Sequence, residues 1–178
     1  MLAVVRFDDA DGKPIATLVN FAAHPVMTQV LNLRFSADYP GFMKRKVEAG
    51  LDGACVFMQG ASGDMSPKPA EDRQGPQQFG EALADEVLSL AQGIETTVPE
   101  APSIKAEVDD FRFGARVDLA NPLVRMGFSQ AFFPELVKAT LEDFRHGVDV
   151  EVVTVLVNNE LALVSGSGEF FCNHANRL

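Results

Sequence analysis

An α/β fold, a mixed β-sheet with flanking helices, is the class this sequence predicts, and three observations carry it. Short apolar runs alternate with stretches of helical spacing along the chain. The first two runs flank a polar turn containing Asp11-Gly12, the signature of a hairpin with a longer loop. From Gln77 to Ala91, Phe79, Leu83, Val87 and Leu90 recur at the spacing of one helix face. Strands that alternate with helices, together with hairpins, favour a mixed sheet.

Residues 2–7 read as a strand, 8–14 as its turn and Ile15–Phe21 as the second strand. That strand runs into Ala22-Ala23-His24-Pro25, where proline stops regular pairing. Val26 to Phe35 is irregular or short strand. Ser36-Ala37-Asp38-Tyr39-Pro40-Gly41 leads into a helix over Phe42–Ala49, closed by Gly50. Ser36 or Asp38 can cap it, and Pro40 is tolerated in a first turn. Ala54–Gln59 is a short apolar run between glycines, the pattern of a buried strand, and Gly60–Pro67 is a tight loop after it. The helix at Gln77–Ala91 follows a polar connector, and Ile94–Ser103 is linker. Ile104–Phe113 alternates as a strand with a shift of phase at Asp109-Asp110. Asn121-Pro122 breaks any long element in 114–128. Phe128–Arg145 fits one or two helices interrupted at Pro134. Val148–Val157 and Glu160–Val164 form a hairpin about Asn158-Asn159. Residues 171–178 have no clear terminal element.

Composition narrows the function classes. The chain of 178 residues is the length of one domain, and 47% hydrophobic against 22% charged residues argues against disorder. A net charge of −10 opposes unaided binding to nucleic acid and, more weakly, to an anionic membrane surface. It leaves a neutral or lipid-like substrate open. No apolar run reaches the roughly 18 residues that a transmembrane helix needs. Two cysteines, Cys55 and Cys172, make no disulfide scaffold and no CxxC site. The start has no basic segment ahead of an apolar stretch, so it does not read as a signal peptide.

Three polar, small-residue loops each follow an apolar strand: Ala22–Pro25, Gly60–Pro67 and Ser165–Glu169. Ligands of α/β folds collect at the carboxyl ends of strands, and glycines there admit a ligand to the backbone. His24, Asp64, Ser66 and Glu169 are therefore candidates for one shared site. Each has an ordinary structural alternative: His24 capping strand carbonyls, Asp64 closing an Asx-turn over Ser66, Ser66 as a turn residue, Glu169 as a helix-start charge. The run Gly60-Ala61-Ser62-Gly63 is not GxSxG, and no P-loop, GxGxxG after a strand or HExxH occurs. His24 and Glu169 can supply two zinc ligands, and His174, five residues past Glu169, is a candidate third.

The stretches Val19–Pro25, Ser36–Gly41, Met58–Pro67 and Ser167-Gly168-Glu169 come in the order, and after the strands, seen in the neutral/alkaline (non-lysosomal) ceramidase family. The chain resembles part of the large N-terminal catalytic domain of that family. The Gly-Asp-x-Ser-Pro loop with the upstream His-Pro carries the likeness, and residues 104–150 follow mainly by position. The resemblance implies a partial ceramidase-like catalytic domain over 1–178, in which one zinc ion serves hydrolysis of the amide of ceramide or a related N-acyl lipid. It implies His24 as the second zinc histidine and Glu169 as the zinc glutamate. It implies Ser66 as the active-site serine, which orients or activates the attacking group or stabilises the intermediate, with Asp64 shaping the loop. The family's first zinc histidine lies upstream of its His-Pro, and no histidine precedes His24. Its tyrosine ligand lies downstream of the glutamate, and the single tyrosine here, Tyr39, lies upstream. That pattern is expected of a segment of a longer protein with an incomplete Zn2+ site, and a secretion signal would lie outside such a segment. Two other readings stand beside it. One is a non-catalytic binding or structural domain that keeps these loops for folding. The other is a serine hydrolase with Ser66 as nucleophile and His146 or His174 as base.

Overall fold

The computed structural model describes residues 2–28, 34–132 and 134–177, without the side chains of residues 140 and 142–146. The expected irregular stretch at Val26–Phe35 lies partly outside the described residues. The chain forms two compact units, Met1–Val98 with Glu169–Leu178, and Pro99–Gly168. The first has a three-stranded mixed sheet and the second a three-stranded antiparallel sheet, so the α/β class with mixed sheet and flanking helices holds.

In the first unit, β1 (Leu2–Asp8) pairs antiparallel with β2 (Pro14–Phe21). Asp9 Oδ1 accepts from the N–H groups of Asp11 and Lys13, and Gly12 takes φ +80°, so the Asp-Gly turn closes as its residues require. Helix α1 (Asp38–Leu51) then carries the chain across to β3 (Ala54–Gln59), which lies parallel to β2. Thr17, Leu18 and Val19 are buried in succession, as befits a central strand covered on both faces. β3, like β1, is an edge strand, and only Cys55 of it is buried, so the expected buried strand is half exposed.

Helix α2 (Pro76–Gln92) matches the expected helix. Its inward face is Gly80, Leu83, Ala84, Val87 and Ala91, while Leu90 faces outward. Gly80 is needed for contact: a Cβ there would run into the Tyr39 carbonyl and lie 2.9 Å from Phe42 Cβ. The core joins Val19, Tyr39, Met43, Val47, Cys55, Leu83, Ala84 and Val87. Arg6, paired with Asp8 at 2.9 Å, also donates to the Ala91 carbonyl and so closes the end of α2.

Helix α1 begins four residues before the expected start and passes through Gly50. Gly50 faces Leu88 of α2, where a Cβ would lie 2.8 Å from Leu88 Cδ2. The helix ends instead at Asp52, with φ +53°.

In the second unit, β4 (Ile104–Phe113), β5 (Val148–Val157) and β6 (Leu161–Gly166) form the sheet. The expected phase shift in β4 is absent: pairing with β5 runs unbroken from Ile104↔Val157 to Phe113↔Val148. Asn158 and Asn159 both adopt positive φ in the expected hairpin turn, and Glu160 N–H donates to the Val157 carbonyl at 3.0 Å. No element crosses Asn121-Pro122, as expected, and the pair also starts a helix. Asn121 Oδ1 accepts from Leu123 N–H, and Pro122 opens α3 (Pro122–Ala131). Pro134 opens α4 (Pro134–His146), giving two helices. In the first unit, residues Cys172–Ala175 form a short helix, α5, where no element was expected.

Candidate functional site

Register places two of the three loops side by side. β2 and β3 end level, with Phe21 opposite Gln59, and Gly60 N–H extends the ladder to the Phe21 carbonyl at 3.1 Å. The His24 loop and the Gly60–Pro67 loop therefore leave the carboxyl ends of adjacent parallel strands, where α/β ligands collect. His24 N–H donates to the Met65 carbonyl at 2.9 Å and locks the two loops together.

The third segment reaches the same loops from the far end of the chain. Gly63 N–H donates to the Phe170 carbonyl at 2.8 Å. A Cβ at Gly63 would lie 2.6 Å from Phe171 Cδ1 and 3.1 Å from the Glu169 carbonyl, so a larger residue here would push the Phe171 ring aside. Asp64 accepts from Cys172 N–H at 2.7 Å and from its thiol at 3.2 Å. Asp64 thus ties its loop to α5, and these bonds run to Cys172 instead of closing over Ser66. The Cys172 N–H, then its thiol, hold the Asp64 carboxyl below the usual range, and the same bond raises the Cys172 thiol. Cys55 is a different thiol: burial, then the Glu48 charge, push it up to about 11, in favour of the neutral thiol.

These ties bring His24 Nε2 to 2.8 Å from Glu169 Oε1. The pair is accessible, with side chains 30% and 64% exposed, and its charge interaction operates when His24 is protonated. Ser66 is exposed and follows directly on Met65, whose carbonyl holds the His24 N–H. Exposed apolar side chains lie close to the pair in sequence, Val26 beside His24 and Phe170 and Phe171 beside Glu169, and Met65 is exposed on the loop bonded to His24. His174 lies with its ring edge-on to Phe170, centroids 5.8 Å apart. Among the described residues, no group of three or more His, Cys, Asp and Glu is placed to hold a metal ion. The side chain of His146 lies outside the described residues.

Residues that the motifs alone did not reveal support this arrangement. Tyr39, fully buried, donates from its hydroxyl to the Ala23 carbonyl at 2.6 Å, and Gln59 Nε2 donates to the same oxygen at 3.0 Å. Burial, then the neighbouring Asp38 charge, raise the Tyr39 hydroxyl far above its ordinary pKa, so it stays a donor. Asp38 is buried and accepts from the Thr28 N–H and hydroxyl at 2.6 and 2.7 Å and from Tyr39 N–H at 2.8 Å. The signal for both was the Ser36–Gly41 stretch, whose polar residues read as helix caps.

No family model matches the chain, and no curated protein matches it. Among solved structures, the neutral ceramidase from Pseudomonas aeruginosa superposes with a TM-score of 0.67 at 14% identity, over 99% of this chain and 35% of its own. A ceramidase complexed with C2 superposes with a TM-score of 0.51 at 19% identity, over 66% of this chain and 20% of its own. The chain thus spans about a third or less of the length of these neighbours. At such identities the likeness shows the fold, which is ceramidase-like.

Proposed function

We propose that this chain carries part of the centre of a zinc-dependent amidohydrolase that cleaves the N-acyl amide of ceramide or a related N-acyl lipid. The observation that carries the reading is the convergence of His24 Nε2 and Glu169 Oε1 at 2.8 Å, from loops far apart in sequence. The ceramidase-like fold supports it. An imidazole nitrogen and a carboxylate oxygen are both zinc donors, so the pair fits the ion in kind. Catalytic zinc needs at least three protein ligands, so His24 and Glu169 would hold it as two of its set. When bound, zinc lowers the pKa of a water molecule and polarises a carbonyl. Ser66, on the loop bonded to His24, would orient the attacking group or face the developing oxyanion. Asp64 would keep that loop against the Glu169 segment. Val26, Met65, Phe170 and Phe171 offer apolar surface suited to an acyl chain.

Calorimetric titration with zinc tests the metal reading on the chain, its His24→Ala variant and its Glu169→Gln variant. With two ligands present, weak binding of one ion per chain is expected, and it should be lost in both variants. Equal affinity in all three would place the metal elsewhere and overturn the assignment. Turnover of a panel of N-acyl lipids and N-acyl sugars, with and without chelator, tests the substrate class. Chelator-sensitive cleavage of the lipids is expected, and cleavage of sugars alone would reject them.

A further inference from the structure

The peptide joining Ala23 to His24 is held at both of its polar ends. Its oxygen accepts two hydrogen bonds, from the Tyr39 hydroxyl at 2.6 Å and from Gln59 Nε2 at 3.0 Å, which occupies both lone pairs. Its N–H donates to the Met65 carbonyl at 2.9 Å. A peptide is planar, so fixing its oxygen and its hydrogen fixes the direction in which the His24 Cα leaves it. The donors are anchored in turn. The Tyr39 ring meets Phe21, Phe57 and Phe79 edge-on, with centroids 6.1, 6.1 and 5.1 Å away. Gln59 closes β3 opposite Phe21. A buried tyrosine hydroxyl needs a partner, and here that partner is the carbonyl immediately before His24.

We infer that Tyr39 and Gln59 are positioning residues for His24, clamping the Ala23–His24 peptide so that the imidazole meets Glu169 in one orientation. This rests on the proposed role of His24 as a metal ligand. Pre-orientation of a ligand matters because misplacing it lowers metal affinity without touching the donor atoms.

The test uses Tyr39→Phe, Gln59→Leu and the double variant, with Val87→Ala as a core control. Gln59 is exposed, so Gln59→Leu keeps the fold if the double variant does not. The His24 ring resonances of the metal-free chain are followed by NMR, and zinc affinity is measured separately. Loss of the clamp is expected to shift and multiply the His24 ring signals while leaving those of His174 unchanged. Zinc affinity should fall about tenfold, the lower end for residues that orient metal ligands. Val87→Ala should lower the melting temperature without either effect. Unchanged His24 ring signals in a folded clamp variant would overturn the inference, whatever zinc does. Moved ring signals in a chain that binds no zinc would uphold the clamp and remove the metal reading alone.

Discussion

Asp38 is the residue where local strain and burial meet. Its φ of +51° lies in the left-handed region, which asparagine and aspartate tolerate better than other side chains with a Cβ. Burial alone would raise its pKa. The Thr28 hydroxyl, with N–H groups from Tyr39, Thr28 and Met27, outweighs burial and holds it below the ordinary carboxylate value. A depressed folded pKa contributes stability that is present above the unfolded value, about 4, and is lost as pH falls through the folded value. Asp38→Ala strands the Thr28 and Tyr39 donors and should cost about 1–3 kcal/mol. Asp38→Asn suits the same backbone but lacks the charge. Its deficit in melting temperature should be full near neutrality and shrink on acidification below about pH 4. A deficit independent of pH would show that the carboxylate charge plays no part. The sequence suggested Asp38 as a helix cap, but the cap position falls on Ala37 with no side-chain cap bond, and Asp38 is the first helical residue, accepting from Tyr39 N–H. Its bonds back to Thr28 were illegible, because they depend on the path of the chain between the two residues.

At the scale of elements, hydrophobic period and turn chemistry were enough to find most strands and helices. Those signals are local, and so survive in a bare sequence. What they missed were exceptions made by contact between elements. Gly50 looks like a helix stop but is a seat for Leu88, and Gly80, inside a helix face, lets α2 press on the first turn of α1. Glycine in a helix is worse than alanine by about 1 kcal/mol, so Gly80→Ala would stabilise an isolated α2. In this packing the added methyl meets the Tyr39 carbonyl and lies 3.1 Å from Met43 N, backbone that cannot move aside cheaply. The substitution should therefore destabilise the chain by about 1–3 kcal/mol, the usual cost of overpacking. Urea unfolding would measure it, and a gain in stability would show that the helices separate readily. The candidate site followed the same division. Strand-end loops were visible as such, and the level ends of β2 and β3 bring the His24 loop beside Gly60–Pro67. Glu169 could be joined to them only by its own loop pattern and by the family likeness, since no local rule spans that separation.

At the scale of the whole chain, apolar burial is unevenly shared between the two units. Among the described residues, the first buries Leu18, Val19, Tyr39, Met43, Val47, Leu83 and Val87 among others, while the second buries Leu119 and Val137. The sequence hid this difference. Ile104, Ala106, Val108, Phe111 and Phe113 look like one strand face with a slip, but the unbroken register puts Ile104 and Val108 on one face and Phe111 and Phe113 on the other. No single face of β4 is then apolar enough to demand cover, and every residue of the strand is exposed. Burial at about 25 cal/mol per Å² is the main source of stability, so the unit that buries less should open at lower free energy. Native-state hydrogen exchange reads this directly, because amides report the opening that frees them. The β2 amides from Thr17 to Val19 should exchange only through opening of the first unit, and more slowly than any in β4. The amides of β4 and β5 should form a second, faster set with a common opening free energy. One shared value across both sheets would mean that the two units unfold as one, and that burial within each is not what sets its stability.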